Sequence, residues 1–504
     1  MDPLTAMPPT DAVDLVNILA GRAGLASRLG YIDWCTNVGT GQVRTIIPFR
    51  GAAASGSGDR LFACTSEGIY TCTSRSTSPT LTYTFPVQNG DSGWGVAHSM
   101  ATSGGQFILY CDEANGYALY TASTDTWAAV AQGSSAGQIS GVDPTALAFV
   151  TVWKNRVIFV QRGTGTMWYL PVGQLTGTVA AYYMGNKFRG GGALKGLWSW
   201  TGDGGYGIDD HLVAVSESGD IIVYQGTDPA TAGEFVPRGN WCLDAVPKGR
   251  RIGTDFGGEL LLLSLQGVVP ISRLTRGTIG PDLYTTRKIQ PLFHEYASAR
   301  RTDLGWALHL DPESNALLVN MPQVGQTYEQ FAMSLATGAW SRFTGVPSLC
   351  AAPWKGRLYF GTKDGRVCRV EGDLDDVDIT TGAGSNITWS GITAFQAMGS
   401  ARRKQIQQIR PRMWRQGSTP GYVVQARYDF DTDAATAAPA PAADVARWDS
   451  AVWGTSTWPE TDNPCGGWRG ATGSGAYAAI AFAGQSDARI TLVGFDVKWT
   501  EGAA

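Results

Sequence analysis

Four histidines, His98, His211, His294 and His309, are the scarcest residues in the chain able to hold a metal or move a proton. They are scattered. None forms H-x-x-x-H or H-E-x-x-H, the spacing that turns two imidazoles toward one zinc ion, so a zinc hydrolase is excluded as a reading. His211 opens an apolar strand pattern and reads as structural. The eight cysteines, at 35, 64, 72, 111, 242, 350, 368 and 465, form no C-x-x-C pair, and the closest two are eight apart. That argues against a zinc site and a compact disulfide framework, and buried free thiols in a reducing compartment are the plain expectation. No G-x-S-x-G lies between a strand and a helix, which removes a nucleophile elbow. The glycine-rich stretch FRGGGALKG (188–196) lacks the P-loop spacing and the helix that would follow it, so it reads as a connecting loop. Asp143, Asp209, Asp210 and Asp255 precede apolar hairpins and could face a common mouth, where paired carboxylates hydrolyse glycosides. Turn and capping roles account for most of them.

The sharpest charge feature is a basic run, Arg402, Arg403, Lys404, Arg410, Arg412 and Arg415, with no acid among them and Trp414 beside it. An aromatic within a basic strand suits single-stranded nucleic acid. Guarding of a sheet edge, or a protein–protein interface, is the favoured reading. The whole chain has no basic excess: 39 Lys and Arg against 43 Asp and Glu give a net charge of -4. Tight static binding to DNA over the whole surface is therefore not expected.

The elements that must position these residues are strands. The 504 residues suggest about three units, or one large β unit and a smaller one. Glycine contributes 65 residues, well above the usual share of about 7%, while charged residues make up 16% against about 25% in ordinary chains. Aromatics reach 11%, which excludes a disordered chain. One pattern recurs: an alternating apolar strand, a tight turn and a second alternating strand. The turns fall at Gly68, Gly116, Gly165, Gly219, Gly267, Asn315 and Gly365, at intervals of 48, 49, 54, 48, 48 and 50 residues. Seven hairpins at that period predict an all-β fold, a β-propeller of about seven blades over 46–380. Turn pairs such as Glu67-Gly68, Asn115-Gly116 and Asp364-Gly365 supply the left-handed backbone that a tight hairpin needs. Trp127 and Trp340 fall on outer strands of blades two and six, and TALAFVTVWKN and SLCAAPWKG read as innermost strands.

Two flanks remain. Residues 1–45 form an N-terminal segment in which Asp11–Leu19 has a capping acid and helical apolar spacing, predicting a short helix before a Gly- and Arg-rich loop. Its acids and prolines do not fit a signal peptide, and no run of 18 apolar residues predicts a membrane span. After 380 the repeat stops. Long alternating strands around an Ala/Pro-rich loop, 431–446, predict a C-terminal β-sandwich over 381–504.

Two stretches carry a family resemblance. DAVDLVNILAGRAGLASRLGYIDW (11–34) resembles the opening of the tail nozzle proteins of short-tailed bacteriophages, also called tail tubular protein B or packaged-DNA stabilisation proteins. The matching residues are Leu15, Asn17, Gly24, Arg28, Gly30 and Tyr31; where the family often has Pro before the glycine loop, this chain has Ala20. GSGAYAAIAFAGQSDARITLVGFDVKWTEGA (473–503) is similar to the family's closing strands. The resemblance implies a structural, non-enzymatic virion protein without cofactors, made in the bacterial cytoplasm. It implies a homohexameric ring at the distal tail, below the adaptor ring proteins and in contact with tail fibre, spike or needle proteins. Double-stranded DNA would pass through its channel on ejection. Leu15, Asn17, Arg28 and Tyr31, together with Arg402, Arg403, Lys404, Arg410, Arg412 and Trp414, are the candidate partner-interface residues. Two other functions remain open: a propeller glycosidase or lyase, and a receptor-binding propeller, both directed at host surface glycan.

Overall fold

The computed structural model describes residues 4–201, 210–231, 233–243, 245–278, 280–323, 329–441 and 463–502. Seven antiparallel sheets follow the seven hairpins in order. Blade one is Thr45–Phe49, Arg60–Cys64, Gly68–Thr71 and Thr80–Thr84, counted from the axis outward. Blades two, three and four repeat the four-strand plan from Gly95, Leu147 and Leu194. Trp127 and Trp340 do lie on outermost strands, and Leu147–Trp153 and Cys350–Trp354 on innermost ones. The turns explain the glycine count in part. Gly116 has φ 74°, and a Cβ there would lie 2.1 Å from the Pro144 carbonyl oxygen of the next blade, so both conformation and space require glycine.

Blade five has three strands, Gly253–Phe256, Glu259–Ser264 and Gly267–Pro270. Helices Ile271–Thr275 and Gln290–Arg300 follow its last strand, and Phe293 and Ala297 of the second helix are buried with Leu261, Leu263 and Phe331 of blades five and six. Blade seven takes its outer strand from the other end of the chain: Tyr31–Cys35 pairs antiparallel with Val367–Val370. The ring is thus closed by the chain's early residues, which hides the last sheet edge.

The stretch 11–20 is not helical. It forms two short strands, Ala12–Val16 and Ile18–Ala20, separated by Asn17 at φ 57°. A short apolar run fits either period. Here pairing decides: Leu15 and Val16 match Gly391 and Ser390 on a long strand, Ser385–Thr393. These strands belong to the sandwich, so the first residues form no separate segment. One sandwich sheet runs Ala12–Val16, Ser385–Thr393, Ala478–Ser486 and Gly421–Tyr428, and it continues blade six through a parallel bridge from Val16 to Arg342. The facing sheet runs Ile18–Ala20, Leu25–Ser27, Ile490–Glu501, Lys404–Arg415 and Asn463–Cys465. Leu15, Ile18, Trp389, Ile409, Phe482 and Leu492 fill the space between them. The described part of the Ala/Pro-rich stretch, 431–441, has no regular structure; its remainder lies outside the described residues. Six of the cysteines are buried thiols, while Cys242 is exposed and Cys465 half-buried. No helix among the described residues is long and apolar enough to cross a membrane.

A buried polar joint fixes sandwich to propeller. All five N–H donors of Arg28 find acceptors: the Asn17 Oδ1 at 2.9 Å, the carbonyls of Leu29 and Thr344 at 2.9 and 3.0 Å, and both Asp375 carboxylate oxygens at 2.7 and 2.6 Å. Asn17 donates to the Thr344 hydroxyl and the Thr388 carbonyl and accepts from the Thr344 amide. Blade six, the sandwich and the strand leading to blade seven therefore share one network. Removing one partner of a buried ion pair leaves the other charge uncompensated. Arg28→Met is expected to cost about 3–5 kcal/mol in a denaturant titration of the full chain; a loss below about 1 kcal/mol, the range of a surface pair, would show that the joint is not the buried pair described.

Candidate functional site

The interface residues proposed from the N-terminal motif lie inside the chain. Leu15 is in the sandwich core, Asn17 and Arg28 are the joint, and Tyr31 packs edge-on against Phe360 at 5.2 Å in blade seven. All four are buried, so their surfaces are spent within the chain. The motif glycines have the same origin: a Cβ on Gly24 would meet the Leu492 carbonyl oxygen at 2.5 Å, and one on Gly30 the Leu374 carbonyl oxygen at 1.9 Å.

The basic strand divides. Lys404 is fully buried, its Nζ donating to the carbonyls of Ser400, Arg402 and Ala476 at 2.5–2.8 Å, so it too is internal. Arg410 and Arg412 share the Asp496 carboxylate of the neighbouring strand, at 2.5 and 2.7 Å. Hydrogen bonds from Arg412 and Arg410 hold that carboxyl below its usual range. The Trp468 indole lies between Arg410 and Lys498, at 5.0 and 4.4 Å from its centroid. Arg403 donates to the Ser474 carbonyl, and Arg402 stands 3.8 Å from Glu501. Trp414 and Val493 are exposed, at 44% and 50%. The outer face of this sheet therefore carries arginines held in part by two acids, Asp496 and Glu501, with apolar groups between them and a positive excess.

The acids and histidines separate by position. Asp143 caps a short 3₁₀ turn by accepting from the Thr145 amide, and Asp210 accepts from the Thr201 hydroxyl. Asp209 lies outside the described residues. His211 packs beside Trp200 and faces Arg238 at 3.0 Å. His294 lies on helix Gln290–Arg300, near the Leu265 carbonyl. The glycine-rich stretch folds around a carboxylate of the protein's own: the amides of Arg189 and Gly190 donate to buried Asp220 at 3.0 and 2.9 Å.

His98, Asp255 and His309 come together in a cavity of about 530 Å³ on the propeller axis, with Thr45, Ser99, Arg251 and Thr254 also in its wall. Desolvation by the surrounding wall lowers the His98 imidazole and raises the Asp255 carboxyl from their ordinary values, although both side chains stay exposed to the cavity. Asp255 is the one carboxylate among the described residues of this wall, whereas two-carboxylate glycoside hydrolysis needs a second. At one mouth Arg250 and Arg251, just before the inner strand of blade five, reach non-adjacent blades. Arg250 pairs with Glu113 in the blade-two turn at 2.5 Å and donates to the Lys195 carbonyl of blade four at 2.6 Å. Arg251 donates from Nη1 to the Arg44 carbonyl at 3.0 Å and the Thr45 hydroxyl at 3.4 Å in blade one, and lies 5.4 Å from the Trp94 ring before blade two. Contacts between blades that are not neighbours cross the axis, so the two arginines span the mouth. Sequence reasoning missed this cluster because its members lie about fifty to two hundred residues apart, and only the closed ring brings them together.

No family model and no curated protein matches the sequence. Among solved structures, the extracellular domain of a hybrid two-component system from B. thetaiotaomicron is 11% identical with a TM-score of 0.43, over 70% of this chain and 42% of its own. This chain therefore spans less than half of that protein's length. The Saccharomyces cerevisiae protein Sqt1 is 12% identical with a TM-score of 0.39, over 73% and 95% of the two chains. A β-propeller domain from Myceliophteria thermophila is 11% identical with a TM-score of 0.38, over 66% and 96%. At these scores the propeller assignment stands on the seven sheets themselves.

Burial lowers His309 to about 3, with the Arg251 charge adding to it. The unfolded chain takes up this proton near the ordinary pKa of about 6.5, while the folded chain refuses it. Stability contributed by the neutral ring is thus complete above about 6.5 and is lost as pH falls toward about 3. In urea midpoints measured against pH, His309→Gln is expected to flatten the decline across that window; parallel curves for variant and wild type would contradict this burial.

Proposed function

We propose that the protein is a structural subunit of a phage tail nozzle, a homohexameric ring whose lumen lies between subunits. The observation that carries this reading is the meeting of the two family-like stretches. Leu25 and Ala26 pair with Leu492 and Thr491 in one sandwich sheet, although they come from opposite ends of the chain. Residues 12–27 of the first stretch and the strands of the second therefore share one sandwich, while Tyr31–Cys35 goes on to blade seven.

Three further features support it. The sandwich is joined to blade six by a continuous sheet and by hydrogen bonds from Arg28 and Asn17 to Thr344, as suits a subunit that carries load between neighbours. The propeller axis is crossed by Arg250, through Glu113, and by Arg251, so the propeller suits a peripheral position better than the role of conduit. The outer face of the Lys404–Arg415 sheet offers Trp414 and Val493 among paired charges. That composition suits protein contacts, where apolar groups and arginine are enriched. Ring closure would use heterologous contacts between different surfaces of successive copies.

Light scattering and negative-stain microscopy of the purified protein, alone and with virion tails, test the reading. The expected result is a hollow six-fold ring or density at the distal end of the tail. A monomer that neither assembles nor locates to tails would contradict it and move attention to glycan binding and turnover.

A further inference from the structure

We propose that two oppositely charged surfaces of this chain dock successive copies onto one another: the outer face of the Lys404–Arg415 sheet of one copy seats on the acidic hollow beside blade seven of the next. The pairing rests on the reading of the protein as a ring subunit, and it names the two faces that close the ring.

The basic face carries Arg402, Arg410, Arg412 and Lys498, and the acids that pair with its arginines are Asp496 and Glu501. The Arg402 and Arg412 side chains keep 65% and 62% of their surface in water, so their charge is open to a partner. Trp468 lies between Arg410 and Lys498, and Trp414 stands exposed on the same strand as the arginines. Tryptophan and arginine are the side chains that most often anchor a protein interface.

The complementary surface is a hollow of about 440 Å³ between the end of blade six and the turn of blade seven, walled by Gly345, Pro347, Lys363, Asp364, Arg366 and Asp376. One guanidinium serves three carboxylates there: Arg366 pairs with Asp33 at 2.9 Å, Asp364 at 2.8 Å and Asp376 at 2.5 Å. The Asp364 and Asp376 side chains are more than half exposed. Asp378, two residues further on, adds a fourth carboxylate, and hydrogen bonds from the Thr381 and Thr380 amides hold it below the usual range, so it stays ionised. Four cations against two acids on the sheet, and four acids against two cations at the hollow, leave equal and opposite excesses among these groups. Gly345 and Pro347 give the hollow an apolar side, against which the stem of an arginine can lie. The two surfaces are different patches of one chain, so their contact is heterologous and repeats from copy to copy until a ring closes. Opposite charges fix the register of such a contact, and like charges oppose it.

Charge reversal tests the pairing. One variant carries Arg402→Glu and Arg412→Glu, the other Asp364→Lys and Asp376→Lys. Each alone is expected to raise the concentration at which rings form, read by light scattering, about tenfold or more, because like charges now meet. Mixed in equal amounts, the two are expected to regain wild-type assembly, since reversed faces meet as opposites when the copies alternate around an even-numbered ring. Arg273→Glu, on an exposed arginine of helix Ile271–Thr275, is expected to leave assembly unchanged. If the wild type forms rings and either variant assembles equally well, or the mixture fails to recover, the pairing is overturned and the nozzle reading stands. A wild-type chain that forms no ring, alone or on tails, overturns both. Should a reversed variant not fold, carbodiimide cross-linking of wild-type rings decides: a link from Lys498 of one copy to Asp364 or Asp376 of the next supports the pairing, and rings linked only elsewhere overturn it.

Discussion

The architecture depends on one buried ion pair. Arg28 and Asp375 lie nearly 350 positions apart in sequence and meet as a bidentate pair at 2.6 and 2.7 Å. Taking two charges out of water is unfavourable unless every remaining donor is used, and here every donor is used. Asn17 makes this possible. Its left-handed backbone turns the chain between two strands, a conformation Asn tolerates better than most residues, and its amide bridges blade six and the sandwich. Fold specificity and joint rigidity thus come from the same few atoms. An apolar joint could slide by one residue, whereas a bidentate pair with a fixed asparagine has one register.

The path of the chain follows from this. It begins in the sandwich, passes the joint, supplies the outer strand of blade seven at Tyr31–Cys35, circles through seven blades, and returns to the sandwich beside its own first strands. Both ends of the described chain are therefore anchored in one unit. The closed ring brings non-adjacent blades within reach of Arg250 and Arg251, and their span over the mouth turns the propeller axis into a cavity. On the proposed reading, a channel for DNA would lie between subunits rather than along this axis.

The sequence made the hairpins visible because each is local: two alternating strands and a turn, with positive φ at Gly116, Gly219, Gly267, Asn315 and Gly365. It did not reveal closure, since the strand Tyr31–Cys35 finds its partner more than 330 residues later and such pairing leaves no local mark. The helix expected over 11–19 failed for the same reason. Its strands exist because Ser385–Thr393 and Trp340–Thr344 are there to pair with them. Blade five hid its departure from the four-strand plan because the helices after its hairpin lack a strong apolar stripe. The basic run stood out in the sequence because an acid that pairs with it, Asp496, sits on a neighbouring strand rather than in the same stretch. Residues conspicuous in the N-terminal motif proved to be internal fittings, with glycines at close approaches and polar groups at the joint.

The central claim, that propeller and sandwich are one cooperative body fastened at Arg28, is tested most directly by native-state hydrogen exchange on the wild type and Arg28→Met. The account predicts that the variant speeds exchange together in Trp340–Thr344 of blade six and in Ser385–Thr393 of the sandwich, because both lose the same fastening. Faster exchange in only one of these strands, with the other unchanged, would show two independently stable units and would contradict it.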